Sequence, residues 1–318
     1  MATTLKAPFP WFGGKRDVSD AVWSRFGRVK HYIEPFCGSS AMLLSAPSPA
    51  NLEVVNDVNG FIANFWRAVK NQPENVAIEA DYPVSHIDQG ARHVWLMSQR
   101  QRVGDELQDA TWPGDARVAG WWLWGQCCWI GSGWCEWFGK EPHVGNAGMG
   151  VQALGQVPHV SDAGMGVQAL GKVPHVSNAG RGDLITSAGR ASWSWLRKLS
   201  DRLERVRVIH GDWSRCLNTH YGGTSTAVFL DPPYRSFDAP YGAEPVADAV
   251  EAWARDNGDL RVAICGHVGD YDLPGWECEP WKRKRLTYGS AKTTDQEAIW
   301  FSPACLGRSQ VDLFGGAA

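Results

Sequence analysis

Five short apolar runs, each ending abruptly in glycine, aspartate or proline, constrain the fold of this chain more than any other feature. The segments that contain them are 31–44, 52–70, 205–213, 226–234 and 259–267. In the first two, a turn follows the apolar run and apolar residues then recur at helical spacing. Successive strand–turn–helix units indicate a parallel α/β sheet, and such sheets bind ligands at the carboxyl ends of their strands.

Between these runs, from 71 to 190, the alternation of strands and helices is lost. We therefore predict one domain formed by 1–70 and 191–307, interrupted by an inserted, largely loop and helical domain. The insertion contains a 16-residue repeat over 142–183, in which "PHVGNAGMGVQALGQV" is followed by a near copy. So short a period does not predict a solenoid. The repeat is either a duplication in a tolerant surface loop or an arm that contacts substrate.

Tryptophan is unusually frequent, with 18 residues, six of them within 121–137. Core packing is the default interpretation, and an aromatic wall that lines a cleft for bases is the alternative. The same part of the chain raises the question of a zinc site through Cys127, Cys128, Cys135, His143, His159 and His175. Their spacing lacks the paired pattern of zinc motifs, so no metal site is predicted.

The charge of the chain gives only a weak indication of its partners. The formal net charge of −3 argues mildly against a nucleic-acid enzyme, although local charge matters more than the total. The basic run of Lys282, Arg283, Lys284 and Arg285 is either a solvated loop or a nucleic-acid contact made through phosphates.

The cysteine content and the hydropathy predict where in the cell the protein is located. No run of about 18 apolar residues predicts a membrane span, and the N-terminus has no secretory signature. Eight scattered cysteines fit reduced thiols better than a disulfide framework. These observations predict a cytoplasmic protein.

Four candidate ligand-binding features lie at the ends of predicted strands. The turn "EPFCGSS", 34–40, contains a glycine and can approach a ligand closely. Asp57 follows the next strand, where an acid commonly binds ribose hydroxyls, and Asp212 follows the third. "DPPY", 231–234, ends the fourth, because proline cannot extend a sheet ladder. A single acid of this kind is more often a helix cap, so the prediction rests on the combination.

Several of these segments resemble the ordered motifs of Dam-type DNA adenine-N6 methyltransferases. They are "PFPWFGGKR" (8–16), "EPFCGSSAM" (34–42), "VVNDVNGFIANFWRAVK" (54–70) and "FLDPPY" (229–234), with weaker matches at "RVAICGH" and "QEAIWFSPAC". The resemblance implies a Rossmann-like S-adenosylmethionine-dependent methyltransferase sheet. It also implies that 71–190 is the target-recognition domain.

The resemblance implies S-adenosylmethionine as cofactor and double-stranded DNA as substrate. Trp11 and Lys15 would hold the methionine end of the cofactor, with Lys15 at its carboxylate. Asp57 would bind its ribose, and Asp212 would contact its adenine. The other implied cofactor-binding residues are Gly14, Phe36, Cys37, Gly38, Ser39 and Trp213. Ser40 departs from the glycine or alanine that relatives often carry, which predicts a changed contact and not a lost site.

The resemblance also implies a chemical role for the residues of the corner at 231–234. Adenine N6 is a poor nucleophile because its lone pair is delocalised into the ring, and Asp231 with the carbonyl of Pro232 can accept its two hydrogens. Pro232 and Pro233 would fix that carbonyl, and Tyr234 would stack on a base flipped out of the duplex. Neither a metal ion nor a covalent intermediate is needed, so Cys37 is interpreted as a small buried residue.

We therefore expect a site-specific DNA adenine-N6 methyltransferase with direct in-line transfer of the methyl group. One alternative is methylation of cytosine N4 or of adenine in RNA, since the same corner can serve any amino nitrogen. Another is a methyltransferase-like module that binds DNA without turnover.

The tail, 308–318, carries a separate hypothesis. "QVDLF", 310–314, resembles the peptide that docks on bacterial sliding clamps, with Gln310, Leu313 and Phe314 as anchors. Val311 departs from the usual leucine. The alternative is a tail that packs on the protein or is disordered.

Overall fold

The computed structural model of the chain describes residues 5–9, 11, 15–82, 85–129, 134–135, 187–217, 222–235, 243–281 and 296–307. The chain divides into two compact units. The first comprises Met1–Phe12 and Val58–Gly211, and the second comprises Gly13–Asp57 and Asp212–Ala318. The second unit contains six of the seven strands described.

The strands of the second unit are β1 (His31–Glu34), β2 (Leu52–Asp57), β4 (Thr226–Leu230), β5 (Arg261–His267), β6 (Glu277–Trp281) and β7 (Glu297–Phe301). They follow the order β2-β1-β4-β5-β7-β6. β1 is parallel to β2 and β4, and β4 is parallel to β5. β7 runs antiparallel between β5 and β6. This mixed α/β topology is consistent with a methyltransferase fold.

Burial explains the position of the strands. All residues of β4 are buried, and β5 is buried throughout its centre, as expected for parallel strands covered on both faces. β6 is mostly exposed and forms the edge of the sheet. The helices of this unit are α1 (Ser19–Phe26), α2 (Ala41–Leu44) and α8 (Ala243–Asp256), with 3₁₀ turns at Lys15–Val18 and Trp213–Cys216.

The first unit is mainly helical in its described residues. It contains β3 (Val206–His210) and the helices α3 (Gly60–Asn71), α4 (Pro73–Ala80), α5 (His86–Glu106), α6 (Ala116–Cys128) and α7 (Ser187–Leu203). Side-chain oxygens of Asn59, Ser85 and Asp115 accept backbone N–H groups at the starts of α3, α5 and α6. Such caps satisfy donors that a helix leaves unpaired at its first turn.

Tryptophans form much of the core of the first unit. Trp66, Trp122 and Trp124 are almost completely buried. The core interpretation of the tryptophan cluster is therefore confirmed for Trp122 and Trp124. Trp134 packs so closely on α6 that a Cβ atom added to Gly125 would lie 1.9 Å from its ring.

All five predicted strands are confirmed as β1 to β5, but β6 escaped prediction. Its sequence, "ECEPW", combines two glutamates with a proline, residues that are depleted in strands. Proline is tolerated in β6 because this strand lies at the edge of the sheet. The buried guanidinium of Arg25 pairs with Glu277 and Glu279, which compensates their charges.

Within 71–190 the described residues are mostly helical, and the assignment of this segment as a target-recognition domain stays a prediction. The repeat at 142–183, the run Lys282–Arg285 and the tail at 308–318 lie outside the described residues. No helix in the described part of the chain is long and apolar enough to cross a membrane.

Candidate active site

The candidate active site lies in the second unit, where β4 ends. Because β4 lies between β1 and β5 and is parallel to both, the carboxyl ends of three strands meet at one edge of the sheet. The chain leaves β4 through Asp231, Pro232, Pro233 and Tyr234. Pro232 is buried, Pro233 is exposed, and Asp231 and Tyr234 are half-buried. The corner thus presents a carboxylate and an aromatic ring where this type of sheet binds ligands.

Lys15, in the 3₁₀ turn Lys15–Val18, pairs with this corner. Its Nζ atom lies 2.9 Å from Oδ1 of Asp231, and the two side chains are 4% and 23% exposed. Burial acts to lower the pKa of Lys15, but the charges of Asp231 and, more weakly, Glu297 raise that pKa above its usual value. Lys15 is therefore charged at neutral pH and forms a largely buried ion pair.

Three side chains surround Tyr234. The Nζ atom of Lys15 lies 5.2 Å from the centroid of the tyrosine ring. The ring of His267 meets the tyrosine ring edge-to-face, with 4.8 Å between centroids. The tyrosine hydroxyl donates to Oε2 of Glu297 at 3.5 Å. His267 ends β5 and Glu297 begins β7, so neighbouring strands position both contacts.

Arg235 anchors the corner to α8. Its guanidinium contacts Glu251, and its Nη2 atom lies 2.8 Å from Oδ1 of Asp248. Glu251, whose side chain is 12% exposed, also pairs with Arg255 at 2.6 Å. This network is partly shielded from water, which strengthens its ion pairs. It therefore holds Arg235, the residue that directly follows Tyr234, in place.

The turn after β1 is buried and conformationally constrained. Cys37, Gly38 and Ser39 are buried, and Phe36 is half-buried. Gly38 and Ser40 have φ angles of 44° and 50°. Residues with a side chain rarely adopt such angles, which gives a physical reason why glycine suits position 40. Ser40 nevertheless adopts this conformation while fully buried.

Asp57, at the end of β2, is tied to that turn. Its Oδ2 atom accepts the N–H of Gly38 at 2.9 Å, and the carboxylate is half-buried. Trp213 stacks on Phe36, with 6.0 Å between ring centroids and 22° between planes. The structure therefore brings together four of the predicted cofactor-binding residues.

Asp212 is exposed and caps the 3₁₀ turn that follows it. Its Oδ1 atom accepts the N–H of Ser214 at 2.9 Å. This is the helix-cap role that strand-end acids commonly have. A contact of Asp212 with the adenine of the cofactor stays a prediction.

These residues fit S-adenosylmethionine. A buried turn with positive φ angles leaves little side-chain bulk between its backbone and a ligand. The half-buried carboxylate of Asp57 provides the acceptors that ribose hydroxyls require. The stacked rings of Phe36 and Trp213 add an aromatic surface beside them.

The first unit contains one predicted cofactor residue, Trp11. Its ring lies against Phe9 and Trp122, with centroids 6.1 Å and 6.4 Å away. The same unit has a cavity of about 320 Å³ whose lining includes Val58 and His210. The role of Trp11 at the cofactor stays a prediction.

Sequence reasoning missed three residues of the corner, namely Arg235, His267 and Glu297. The sequence contains little indication of these residues. Arg235 follows "DPPY" but is not part of that motif, and His267 and Glu297 lie in the segments that resemble the family less specifically. Of the predicted residues, Gly14 and the basic run Lys282–Arg285 lie outside the described part of the chain.

The interpretation of Cys37 as a buried residue is confirmed. Burial raises the pKa of its thiol well above the ordinary value, with smaller contributions from Asp57 and Glu34. All eight cysteines are free. Among the described residues, no group of three or more His, Cys, Asp or Glu side chains is placed to hold a metal ion.

Comparison with known proteins finds similarity over part of the chain. Residues 11–91 match the family model described as D12 class N6 adenine-specific DNA methyltransferase. A 68-residue segment is 32% identical to the DNA N-6-adenine-methyltransferase of Escherichia phage P1. That segment is 21% of this chain, and the chain spans 9% of the length of the phage relative. Residues 11–91, which include Lys15, the turn after β1 and Asp57, are therefore similar to the D12 class N6 adenine-specific DNA methyltransferase family.

Proposed function

We propose that this protein transfers a methyl group from S-adenosylmethionine to N6 of adenine at a specific site in double-stranded DNA. The observation that carries the proposal is the corner after β4, where Asp231 is paired with the buried Lys15 beside Tyr234. The match of residues 11–91 to the adenine-specific family supports the same reaction.

Asp231 and Pro232 are the proposed catalytic acceptors. The carboxylate of Asp231 accepts one N6 hydrogen, and the backbone carbonyl of Pro232 accepts the other. These hydrogen bonds localise the nitrogen lone pair, which otherwise is delocalised into the ring. Because prolines restrict the backbone, the two acceptors are positioned before the base arrives, which is how electrostatic preorganisation lowers a barrier.

Lys15 and Tyr234 complete the corner. The ammonium of Lys15 holds the carboxylate of Asp231 in place, and Tyr234 offers its ring to a base that has left the helical stack. A flipped base loses its stacking partners in DNA, so an aromatic side chain that replaces one of them compensates part of that loss.

The second unit would hold the cofactor through Asp57, the backbone of 36–39, and Trp213, and the resemblance adds Trp11, Gly14 and Asp212. When bound, S-adenosylmethionine supplies an electrophilic methyl group. The resemblance also implies Lys15 at the cofactor carboxylate, but its ion pair with Asp231 leads us to propose the corner as its main place of action.

The test is methyl transfer to a mixed-sequence DNA duplex, followed by separation of the modified nucleosides. We expect N6-methyladenine from the wild-type protein and none from Asp231→Ala. Asp259→Asn is a suitable control, because it removes a carboxylate from an exposed turn of the same unit. Substantial transfer by Asp231→Ala would refute the proposed role of Asp231.

The same experiment separates the alternatives. Methylation of cytosine N4 alone, or of RNA and not DNA, would replace the adenine proposal with one of the related reactions. DNA binding with no methylated product from any duplex would indicate a non-catalytic binding module.

Two further parts of the proposal concern segments outside the described residues. The run Lys282–Arg285 is proposed to contact DNA phosphates, and replacing it by glutamines should lower DNA affinity and its dependence on salt. Gln310, Leu313 and Phe314 are proposed to dock on a bacterial sliding clamp, which fits a cytoplasmic DNA enzyme. Unchanged clamp binding after deletion of 310–318, or no binding by the intact chain, would end this hypothesis.

A further inference from the structure

We propose that Glu297 is a positioning residue for methyl transfer, because it fixes the ring of Tyr234 through the tyrosine hydroxyl. The inference rests on the proposed function and extends it to the start of β7, 63 positions from Tyr234 in the chain. Glu297 does not contact the reacting atoms in this proposal. It acts on the base through Tyr234.

Strand pairing places Glu297 where it can do this. Glu297 and His267 are cross-strand partners in the antiparallel pair β5–β7. The ring of Tyr234 is thus in contact with His267, at 4.8 Å between centroids, and its hydroxyl with Glu297, at 3.5 Å. Contacts to the ring and to its hydroxyl restrict the two rotatable bonds of the side chain, so the ring needs little reordering when a base stacks on it.

Charge gives Glu297 a second effect at the same corner. Lys15 lies 2.9 Å from Asp231 and 5.2 Å from the ring centroid of Tyr234. The charge of Glu297 also acts on Lys15, so the carboxylates of Asp231 and Glu297 both interact with one buried ammonium group.

Glu297→Gln separates positioning from folding. The amide keeps the volume of the side chain and leaves the backbone pairing of β7 intact, but it removes the charge and weakens the acceptor. We expect kcat to fall about tenfold, since a small misplacement of a reacting group is costly. The KM for S-adenosylmethionine should change less than about twofold, because uniform binding is unaffected.

A double-mutant cycle with Tyr234→Phe tests the contact itself. If Glu297 acts through the hydroxyl, Glu297→Gln should have a much smaller effect on kcat in the Tyr234→Phe background than in the wild type. The same cycle, measured as unfolding in urea, should show coupling of about threefold in the equilibrium constant. The control Asp259→Asn, which removes one exposed carboxylate, should leave kcat unchanged.

The two readouts distinguish failure of this inference from failure of the proposed function. If wild-type protein methylates adenine but the two substitutions are additive in kcat, the inference is overturned. If wild-type protein methylates no adenine, the proposed function fails and the unfolding cycle decides about Glu297. In that case measurable coupling supports fixation of Tyr234 by Glu297, and additive changes overturn it.

Discussion

Lys15 and Asp231, which are 216 positions apart in the sequence, form an ion pair with 2.9 Å between Nζ and Oδ1. A lysine that is 4% exposed needs such a partner, because an isolated buried charge is costly. The pair therefore serves the fold and the proposed chemistry at once, and the two contributions can be separated by experiment.

Asp231→Ala should destabilise the protein by leaving the ammonium of Lys15 without its nearest carboxylate. We expect the free energy of unfolding to fall by about 2 kcal/mol, less than for a fully buried pair because Asp231 is partly exposed. Adding Lys15→Met should restore most of that stability without restoring methyl transfer. Urea unfolding checks the change, and a double variant less stable than Asp231→Ala would contradict it.

The stability of the protein should depend on pH through Lys15 at alkaline pH. Its folded-state pKa lies above the ordinary value of 10.5, so the folded state holds this proton more tightly than the unfolded state. The resulting stabilisation is complete below pH 10.5 and disappears as the pH rises through the folded-state pKa. The urea midpoint of wild type should therefore fall relative to that of Lys15→Met as the pH rises through this window. A constant difference across it would refute the prediction.

Gly125→Ala should destabilise the first unit by overpacking. A Cβ atom at this position would lie 1.9 Å from ring atoms of Trp134, and such a clash forces the indole to move. We expect a loss of about 1–3 kcal/mol in the free energy of unfolding. Gly90→Ala is the matched control in α5, since nothing lies within 4 Å of its Cβ position. It should stabilise the helix by about 0.5–1 kcal/mol. Equal effects of both substitutions would contradict the packing argument.

Cys278 should be the first cysteine to react with iodoacetamide in the native protein. It is the one exposed thiol among eight, and it lies on the edge strand β6. Burial raises the pKa of Cys128 to about 11 and that of Cys216 to about 12, so these thiols are both inaccessible and protonated at neutral pH. Peptide mass spectrometry should find one modified site natively and eight after unfolding. Early modification of Cys37 would show that the turn after β1 opens.

The sequence predicted strands well where local signals agree. In β4, a fully buried apolar run meets two prolines, so both the strand and its end can be read from adjacent residues. β6 lacks such signals, because glutamate and proline are depleted in strands, and the partner of Glu277 and Glu279 is Arg25, about 250 positions earlier. Local pattern cannot show a compensating charge that is so distant in the chain.

The same limit applies to the candidate site. Asp231 and Tyr234 could be selected from "DPPY" alone, and Lys15 from "WFGGK", yet nothing local indicates that Lys15 pairs with Asp231. His267 ends β5 and Glu297 begins β7, and both strands are ordinary apolar runs. That both residues contact Tyr234 depends on the antiparallel register of β5 and β7. Such positions follow from topology and not from composition.

The place of β7 in the sheet has a consequence for how the protein is made. β7 comes after β6 in the chain but lies between β5 and β6. While the ribosome has yet to complete residues 297–301, β5 lacks that neighbour and presents unpaired N–H and C=O groups. Open edges of apolar strands are sites of aggregation. Expression at low temperature or with a chaperone should therefore raise the yield of native protein, and nonsense codons before residue 297 should send the product to inclusion bodies.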